Sequence, residues 1–154
     1  MIETEVKIKI SKEEFCRLVS IFKSVNFVNQ QNTLYEIPEG FVRIRRIGNV
    51  KTITLKKESE GEFNSRKEIE FQTSSDLDII KEFFCELGLK ESLTYSKRRA
   101  DVLLNNCIVS LDILGEEYYL EIEGSPDKIK ENLKELSLEG HRLETKSYFE
   151  LLNG

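Results

Sequence analysis

The chain has 154 residues, of which 39% are hydrophobic and 33% are charged, and its formal net charge is −5. This length predicts a single compact domain spanning residues 1–154, and the apolar content excludes a disordered chain. Charged residues usually make up about a quarter of a domain, so the 28 acids and 23 bases are both in excess. The acidic balance argues against general binding to nucleic acid or to anionic membranes.

Several functional classes are made less plausible by what the sequence lacks. The apolar runs are too short to span a membrane, and the first residues lack the basic and apolar regions of a signal peptide, which predicts a cytoplasmic protein. Three widely spaced cysteines, Cys16, Cys85 and Cys107, predict buried free thiols rather than disulfides or a zinc site. The single histidine, His141, argues against a histidine-based metal centre or catalytic triad, and we expect it in a loop or at a strand end.

The first half of the chain begins with strict alternation of apolar and polar residues over 2–10, which predicts a strand. Ser11, with Glu14 three residues later, forms a capping box that opens an amphipathic helix. Further strands are predicted at 33–37, 41–47, 50–57 and 65–72, with turns at Pro38-Glu39-Gly40 and Glu60-Gly61-Glu62.

The second half begins with an amphipathic helix that we expect Ser75 to cap and Gly88 to end. Ser125-Pro126 starts a third helix, because proline suits the first helical position. Strands are predicted at 95–104, 107–114 and 117–123, with turns at Asn105-Asn106 and Gly115, and a strand or loop near 141–145 precedes a helical segment over 147–152. This order predicts an α+β domain of about eight antiparallel strands with helices outside them.

The polar faces of these strands carry charges at every second position, for example Arg43 and Arg45 opposite Val42 and Ile44. By this alternation, one face of the sheet holds seven acids and eight bases. The acids are Glu3, Glu5, Glu68, Glu70, Asp112, Glu121 and Glu123, and the bases are Lys7, Lys9, Arg43, Arg45, Lys56, Arg66, Lys97 and Arg99.

Two architectures accommodate this charged face. A closed barrel places it inward and the apolar face outward under the helices, whereas an open sheet leaves it in solvent and fits the alternation equally well. Carboxylates two residues apart on one strand face are about 7 Å apart and repel by about 2.4 kcal/mol at an effective dielectric constant near 20. A barrel interior therefore needs its charges neutralised, and the acids and bases could supply part of this to one another as a purely structural network. A divalent metal and a polyphosphate would supply the rest, because oxygen ligands suit Mg²⁺ or Mn²⁺ and paired arginines suit phosphate.

The segment Glu3-Thr4-Glu5-Val6-Lys7 resembles the Glu-x-Glu-x-Lys signature that opens the CYTH superfamily, the triphosphate tunnel metalloenzymes. Other segments resemble the family's motifs in the same order along almost the whole chain. They are Tyr35, Val42-Arg43-Ile44-Arg45, Ile53-Thr54-Leu55-Lys56, Arg66-Lys67-Glu68-Ile69-Glu70, Lys97-Arg98-Arg99, Leu111-Asp112, Leu114-Gly115, Glu121-Ile122-Glu123, Ser147-Tyr148 and Leu151-Leu152. One departure is Glu36, where many members carry aspartate.

The resemblance implies an eight-stranded antiparallel closed β-barrel that binds triphosphate together with Mg²⁺ or Mn²⁺. By position, the phosphate oxygens would be bound by Lys7, Arg43, Arg45, Lys56, Lys97 and Arg99, and the metals by Glu3, Glu5, Asp112, Glu121 and Glu123. The residues expected to be central to catalysis are Glu3, Glu5, Lys7, Lys56 and Arg45. Glu68 and Glu70 would support the site, while Lys9 and Arg66 would either tune its electrostatics or form structural pairs.

Members that resemble this chain hydrolyse inorganic, thiamine or nucleoside triphosphates, and others cyclise ATP to cyclic AMP. We expect a metal-dependent triphosphatase with inorganic triphosphate as the leading substrate. The alternatives are an adenylate cyclase releasing pyrophosphate and, from another class, a non-catalytic polyphosphate- or nucleotide-binding module. The chain has no tryptophan, so Tyr35, Phe41, Tyr118 and Tyr119 remain as stacking surfaces for an organic group. The expected partner is a small-molecule triphosphate, not nucleic acid or a membrane, and the resemblance suggests a homodimer.

Overall fold

The computed structural model describes residues 1–58 and 63–153. The strands are β1 (Ile2–Ile10), β2 (Val28–Ile37), β3 (Gly40–Ile47), β4 (Val50–Lys57), β5 (Asn64–Thr73), β6 (Glu91–Leu104), β7 (Cys107–Leu114) and β8 (Glu117–Glu123). The helices are α1 (Lys12–Phe22), α2 (Leu77–Glu86), α3 (Pro126–Glu135) and α4 (Tyr148–Asn153). The strands pair in a closed antiparallel ring, in the order β1-β5-β4-β3-β2-β6-β7-β8. This confirms the predicted closed barrel and excludes the open sheet.

Local sequence signals explain most of the element boundaries. The Ser11 side chain accepts a hydrogen bond from the Glu14 amide, and the Glu14 carboxylate accepts one from the Ser11 amide, so the predicted capping box is present. Asn105 and Asn106 both adopt positive φ angles, of 47° and 61°, which a tight two-residue hairpin turn requires and asparagine tolerates. Pro126 occupies the first turn of α3 as predicted.

Three boundaries differ from the prediction. Strand β2 begins at Val28 rather than at residue 33, and β6 begins at Glu91 rather than at residue 95. The added segments lack apolar alternation, but residues 28–32 pair with residues 95–99, and the closed ring supplies that partner. Asp76 rather than Ser75 occupies the N-cap position of α2, where its side chain makes no capping hydrogen bond. The predicted turn at residues 60–62 lies outside the described residues.

Two hydrophobic clusters lie outside the barrel and hold its apolar face. In the larger one, α1 and α3 cover β1, β7 and β8, with Ile8, Leu18 and Ile129 fully buried. In the smaller one, Ile80 and Phe84 of α2 pack on β2, β3 and β4. Each fully buried side chain of this size contributes about 1.5–3 kcal/mol. Since strand side chains alternate between faces, this outer packing commits the charged residues to the interior.

All three cysteines are free thiols as predicted, but only Cys107 is buried, because Cys16 and Cys85 are exposed on the outward faces of α1 and α2. His141 lies in a loop as predicted, where its Nε2 atom contacts the Glu14 carboxylate. No helix in the described ranges is long and apolar enough to cross a membrane.

Candidate active site in the barrel interior

The barrel encloses a cavity of about 300 Å³, which is at the small end of the range for small-molecule sites. Thirteen of the fifteen charged residues predicted to face inward line it, and the exceptions are Lys9 and Asp112. The charges divide into two groups. We call Arg43, Arg45, Lys97 and Arg99 the basic lobe, and Glu3, Glu5, Glu68 and Glu123 the acidic lobe.

The basic lobe comes from strands β3 and β6. Burial, together with repulsion from Arg43 and Arg99, lowers the pKa of Arg45 to about 9. Its Nε atom donates to the Asn32 side chain over 2.9 Å, and Arg43 Nε has no hydrogen-bond partner within the described residues. The lobe therefore holds positive charge that its surroundings do not fully compensate, as expected of an anion-binding surface.

The basic lobe is anchored from behind by Asp112, which is fully buried. Its carboxylate accepts hydrogen bonds from Lys97 Nζ at 3.0 Å and from the Tyr148 hydroxyl at 2.5 Å, and it also binds Arg99. Burial opposes ionisation, but the charges of Arg99 and Lys97 outweigh it and lower the pKa of Asp112. These contacts occupy the carboxylate, so we leave Asp112 out of the proposed metal ligands.

The acidic lobe concentrates carboxylates on strands β1, β5 and β8. Glu5 and Glu123 are directly opposite each other in the register of β1 and β8. Burial and the neighbouring charges of Glu3 and Glu5 raise the pKa of Glu123 to about 7, and burial followed by repulsion from Glu121 raises that of Glu5. Like charges at opposed positions of a sheet are destabilising. The raised pKa values of Glu5 and Glu123 therefore indicate negative charge that the neighbouring bases do not fully balance.

Lys56 forms ion pairs with two carboxylates of the acidic lobe. Its Nζ atom lies 2.8 Å from Glu3 Oε2 and 3.1 Å from Glu68 Oε2. Burial opposes its charge, but the carboxylates, led by Glu5, raise its pKa. Arg66, the register partner of Glu3, is the other base on this side of the cavity, so the four carboxylates outnumber the two bases beside them.

The donor chemistry of the acidic lobe suits a hard divalent cation, because all its ligand atoms are carboxylate oxygens. In the part of the chain that is described, no three histidine, cysteine or acidic side chains already converge as a metal cluster. Mg²⁺ is usually held through one or two carboxylates together with water and substrate phosphate. Glu3, Glu5 and Glu123 line the cavity and are the carboxylates from which such ligands could come.

Lys7 lies between the two lobes and is 1% exposed. Its Nζ atom is 3.3 Å from Glu121 Oε1 and donates to the Lys146 carbonyl over 3.1 Å. Glu121 also binds Arg99. Although burial opposes ionisation, Arg99 and Lys7 shift the pKa of Glu121 well below its usual value. Glu121 is thus an ionised bridge between Lys7 and the basic lobe.

Tyr148 of α4 enters the cavity wall and organises two of the lysines. The Nζ atoms of Lys7 and Lys97 lie 4.1 and 4.2 Å from the centre of its ring, within the distance for a cation–π interaction. The sequence motif marked Tyr148 only as part of a terminal helix, and spacing alone gave no sign that this helix returns to the barrel. Tyr95, Asp101 and Ser110 also line the cavity and were not predicted as site residues.

The residues expected to support the site differ in their exposure and in their partners. Lys9 is exposed and pairs with Glu117 at 2.7 Å, as a structural pair at the rim. Arg66 is buried in the cavity wall, and its Nε atom has no hydrogen-bond partner within the described residues. Glu70 accepts a hydrogen bond from Thr54 over 2.7 Å and lies 3.9 Å from Arg43.

The aromatic residues considered for stacking are mostly outside the cavity. Tyr35 packs on Phe84 and Tyr118 packs on Phe15, both beneath outer helices. Phe41 does line the cavity, stacked on Phe149 with ring centres 5.7 Å apart.

A family model for the CYTH domain matches residues 1–150 of this chain. The protein belongs to the CYTH family. CYTH proteins bind triphosphate substrates, and the family includes triphosphatases and adenylate cyclase-like enzymes, which generally use divalent metal ions.

Solved structures of CYTH type share the fold. A conserved hypothetical protein from Pyrococcus furiosus is 27% identical, with a TM-score of 0.84 and coverage of 97% of this chain and 99% of its own. The PH1012 protein from Pyrococcus horikoshii OT3 is 26% identical, with a TM-score of 0.84 and coverage of 97% and 98%. HpAC1 from Hippeastrum, an adenylyl cyclase candidate described as having a dominant triphosphatase activity, is 17% identical, with a TM-score of 0.67 and coverage of 94% and 91%. No curated protein matches significantly.

Proposed function

We propose that this CYTH protein is a divalent-metal-dependent triphosphatase whose leading substrate is inorganic triphosphate. The observation that carries the proposal is the pairing of an undercompensated basic lobe with an undercompensated acidic lobe in one cavity of about 300 Å³. A purely anion-binding cavity would need only the basic lobe. The acidic lobe adds ligands for a cation, which a phosphoryl-transfer site requires.

In this proposal the basic lobe binds and orients the phosphate chain. Arg43 and Arg45 present two guanidinium groups from one strand face, which suits bidentate contacts to phosphate oxygens. Lys7, Lys97 and Arg99 extend the cationic surface across the cavity. Phosphoryl transfer depends mainly on positioning and charge stabilisation, so no covalent nucleophile is needed.

Glu3, Glu5 and Glu123 would hold the divalent cation, and Lys56 would stay charged beside them. When bound, the cation supplies charge neutralisation of phosphate oxygens and a water of lowered pKa. Glu121 keeps Lys7 and Arg99 in place. Glu68 and Glu70 fix the cations Lys56 and Arg43 from the β5 side.

Adenylate cyclase is the second candidate, and the stacked pair of Phe41 and Phe149 in the cavity wall favours it. A purine could stack on such a surface. The small cavity favours the triphosphatase, because a nucleoside needs space beyond the phosphate chain. HpAC1, described with a dominant triphosphatase activity, has the same fold. This is compatible with ranking the triphosphatase ahead of the cyclase.

A substrate panel tests the proposal. The purified protein is incubated with tripolyphosphate, ATP or thiamine triphosphate and with Mg²⁺ or Mn²⁺, and phosphate, pyrophosphate and cyclic AMP are quantified. We expect phosphate release from tripolyphosphate to be fastest and to require the metal. Cyclic AMP with equimolar pyrophosphate would instead establish the cyclase, and tight binding without turnover of any substrate would establish a binding module.

Two neighbouring lysines on β1 give a matched pair of variants. Lys7→Ala removes a buried cation between the lobes and should weaken tripolyphosphate binding at least about 10-fold. Lys9→Ala removes an exposed rim cation on the same strand face and should change binding less than about 2-fold. Glu5→Gln should abolish metal-dependent turnover while leaving the fold intact, and full activity in that variant would refute the assignment.

A further inference from the structure

A buried threonine on the inward face of β4 connects a base and an acid of the site. Thr54 is fully buried and is the register partner of Arg43 on β3 and of Glu70 on β5. The three side chains therefore form one row across three adjacent strands. Residues directly opposite each other in antiparallel strands lie close enough for their side chains to interact, so the Thr54 hydroxyl stands between a cation and an anion.

The Thr54 hydroxyl acts as both acceptor and donor in this row. It accepts a hydrogen bond from Arg43 Nη2 over 3.3 Å and donates one to Glu70 Oε2 over 2.7 Å. Arg43 Nη2 lies 3.9 Å from the same Glu70 oxygen, which is longer than a hydrogen bond. The hydroxyl thus occupies the carboxylate oxygen that Arg43 would otherwise bind directly, and it keeps the two charges apart.

A neutral partner also holds the second arginine of β3. Arg45 Nε donates to the side-chain oxygen of Asn32 over 2.9 Å. By contrast, the β6 cations Lys97 and Arg99 both bind the Asp112 carboxylate directly. A neutral acceptor fixes a guanidinium without cancelling its charge, whereas a carboxylate does both. The β3 arginines are therefore the part of the basic lobe whose charge, among the described side chains, no hydrogen-bonded carboxylate offsets.

We propose that Thr54 is a positioning residue for anion binding, whose hydroxyl fixes Arg43 in the cavity wall and keeps Glu70 from neutralising it. Arg43 lines the cavity, and its Nε atom has no hydrogen-bond partner within the described residues, so the guanidinium retains a donor for a phosphate oxygen. The Glu70 side chain is 45% exposed and has room to move onto Arg43 once the hydroxyl is removed. This role rests on the proposed triphosphate-binding function of the cavity.

Tripolyphosphate binding, measured by isothermal titration calorimetry with a chelator present, tests the role of Thr54. Thr54→Val keeps the β-branched shape that suits a strand but loses the hydroxyl. Glu70 can then pair with Arg43, and the affinity should fall about 10-fold. Thr54→Ser keeps the hydroxyl and should restore the affinity to within about 2-fold of wild type.

Thr52→Val is the matched control. Thr52 lies two residues earlier on the same face of β4, and its hydroxyl makes no hydrogen bond to any of the described residues. The substitution makes the same chemical change without removing a link between charges, so the affinity should change less than about 2-fold.

A second background separates this role from a general loss of structure. Glu70→Gln removes the carboxylate that would capture Arg43, and Thr54→Val is compared with Thr54 in that background. There the valine should lower tripolyphosphate affinity less than about 3-fold, because the two substitutions act on one contact. Circular dichroism checks folding, and Thr54→Ala, which also lacks the hydroxyl and fits the same space, replaces the valine variant if that variant does not fold.

The outcomes separate the role of Thr54 from the proposed function. Equal affinity of wild type and Thr54→Val, failure of Thr54→Ser to restore binding, or equal losses in both Glu70 backgrounds would overturn the positioning role and leave the triphosphate site in place. A wild-type protein that does not bind tripolyphosphate would overturn both.

Discussion

Arg45 illustrates how one residue can reduce the stability of the free protein and still favour ligand binding. It is buried beside Arg43 and Arg99, which together with burial lower its pKa to about 9. An anion between these side chains would remove that repulsion. The same charge therefore opposes folding in the empty cavity and promotes binding.

We predict that Arg45→Met separates the two effects. Relief of repulsion offsets the lost hydrogen bond to Asn32, so the free energy of unfolding should change by less than about 1 kcal/mol. Tripolyphosphate affinity, measured by calorimetry, should fall about 10- to 100-fold. Arg46→Met is the control, because Arg46 is on the opposite strand face and donates to the Gly48 carbonyl. Equal affinity losses in both variants would contradict the role of Arg45.

The raised pKa of Glu123 predicts that its ionisation lowers the free energy of unfolding as the pH rises, whereas acids with a lowered pKa stabilise the fold as the pH rises. Its folded pKa of about 7 exceeds the usual unfolded value of about 4.3, so the folded state retains the proton that the unfolded state loses. Below pH 4 both states are protonated and the group has no effect on stability. Between pH 4 and 7 its destabilising effect grows, and above pH 7 it is constant.

Glu123→Gln should therefore stabilise the metal-free protein by about 1 kcal/mol at pH 8, after allowance for solvent screening, and by almost nothing at pH 4. Urea unfolding with a chelator present, at both pH values, checks this difference. Glu117→Gln, at the exposed ion pair with Lys9, should show little pH-dependent change. A variant that is less stable than wild type at pH 8 would show that Glu123 is ionised and well paired.

At the scale of elements, α4 is held to the barrel chiefly by Tyr148, which is 6% exposed. The hydroxyl donates to Asp112, and the ring contacts Tyr119 edge-on at 5.3 Å. Because the ring also lies beneath Lys7 and Lys97, the docking of this short helix and the positions of two site lysines depend on one side chain.

We predict that Tyr148→Ala lowers the free energy of unfolding by about 3–5 kcal/mol, while Tyr148→Phe, which keeps the ring, lowers it by about 1–2 kcal/mol. Thermal denaturation measures both values. Tyr118→Phe is the matched control, because that ring packs on Phe15 outside the barrel, and its effect should be smaller. If Tyr148→Ala were as stable as Tyr148→Phe, the ring would not anchor α4.

The alternation of apolar and charged residues was sufficient to predict β1, β4 and β7 and the charges they turn inward. It failed at residues 28–32, where the polar sequence has no apolar face, because Gln30 and Asn32 are buried in the barrel interior. It also could not show that Asp112 binds Lys97 outside the cavity lining or that Tyr148 lines the cavity. These placements depend on contacts between residues distant in sequence, which no local pattern encodes.

For the whole molecule, a cavity lined by paired charges predicts strong coupling between ligand binding and stability. Tripolyphosphate at about 100 times its dissociation constant should stabilise the fold by about 2.7 kcal/mol and raise the melting temperature by roughly 5–10 °C. Calorimetric melting in the presence of a chelator measures this without metal-dependent turnover. Sulfate at equal ionic strength should give a much smaller shift, and identical shifts would indicate general ionic effects.

The position of β1 in the ring has a consequence for how the chain is made. The first strand pairs with β5 on one side and with β8 on the other, and its residues Glu5 and Lys7 face Glu123 and Glu121. During synthesis, the residues of β1 emerge before those of β8, and they are enclosed only when this last of the described strands is available to pair with them. Such distant pairing slows folding, so we expect the nascent chain to complete its charged interior only after residue 123 has emerged.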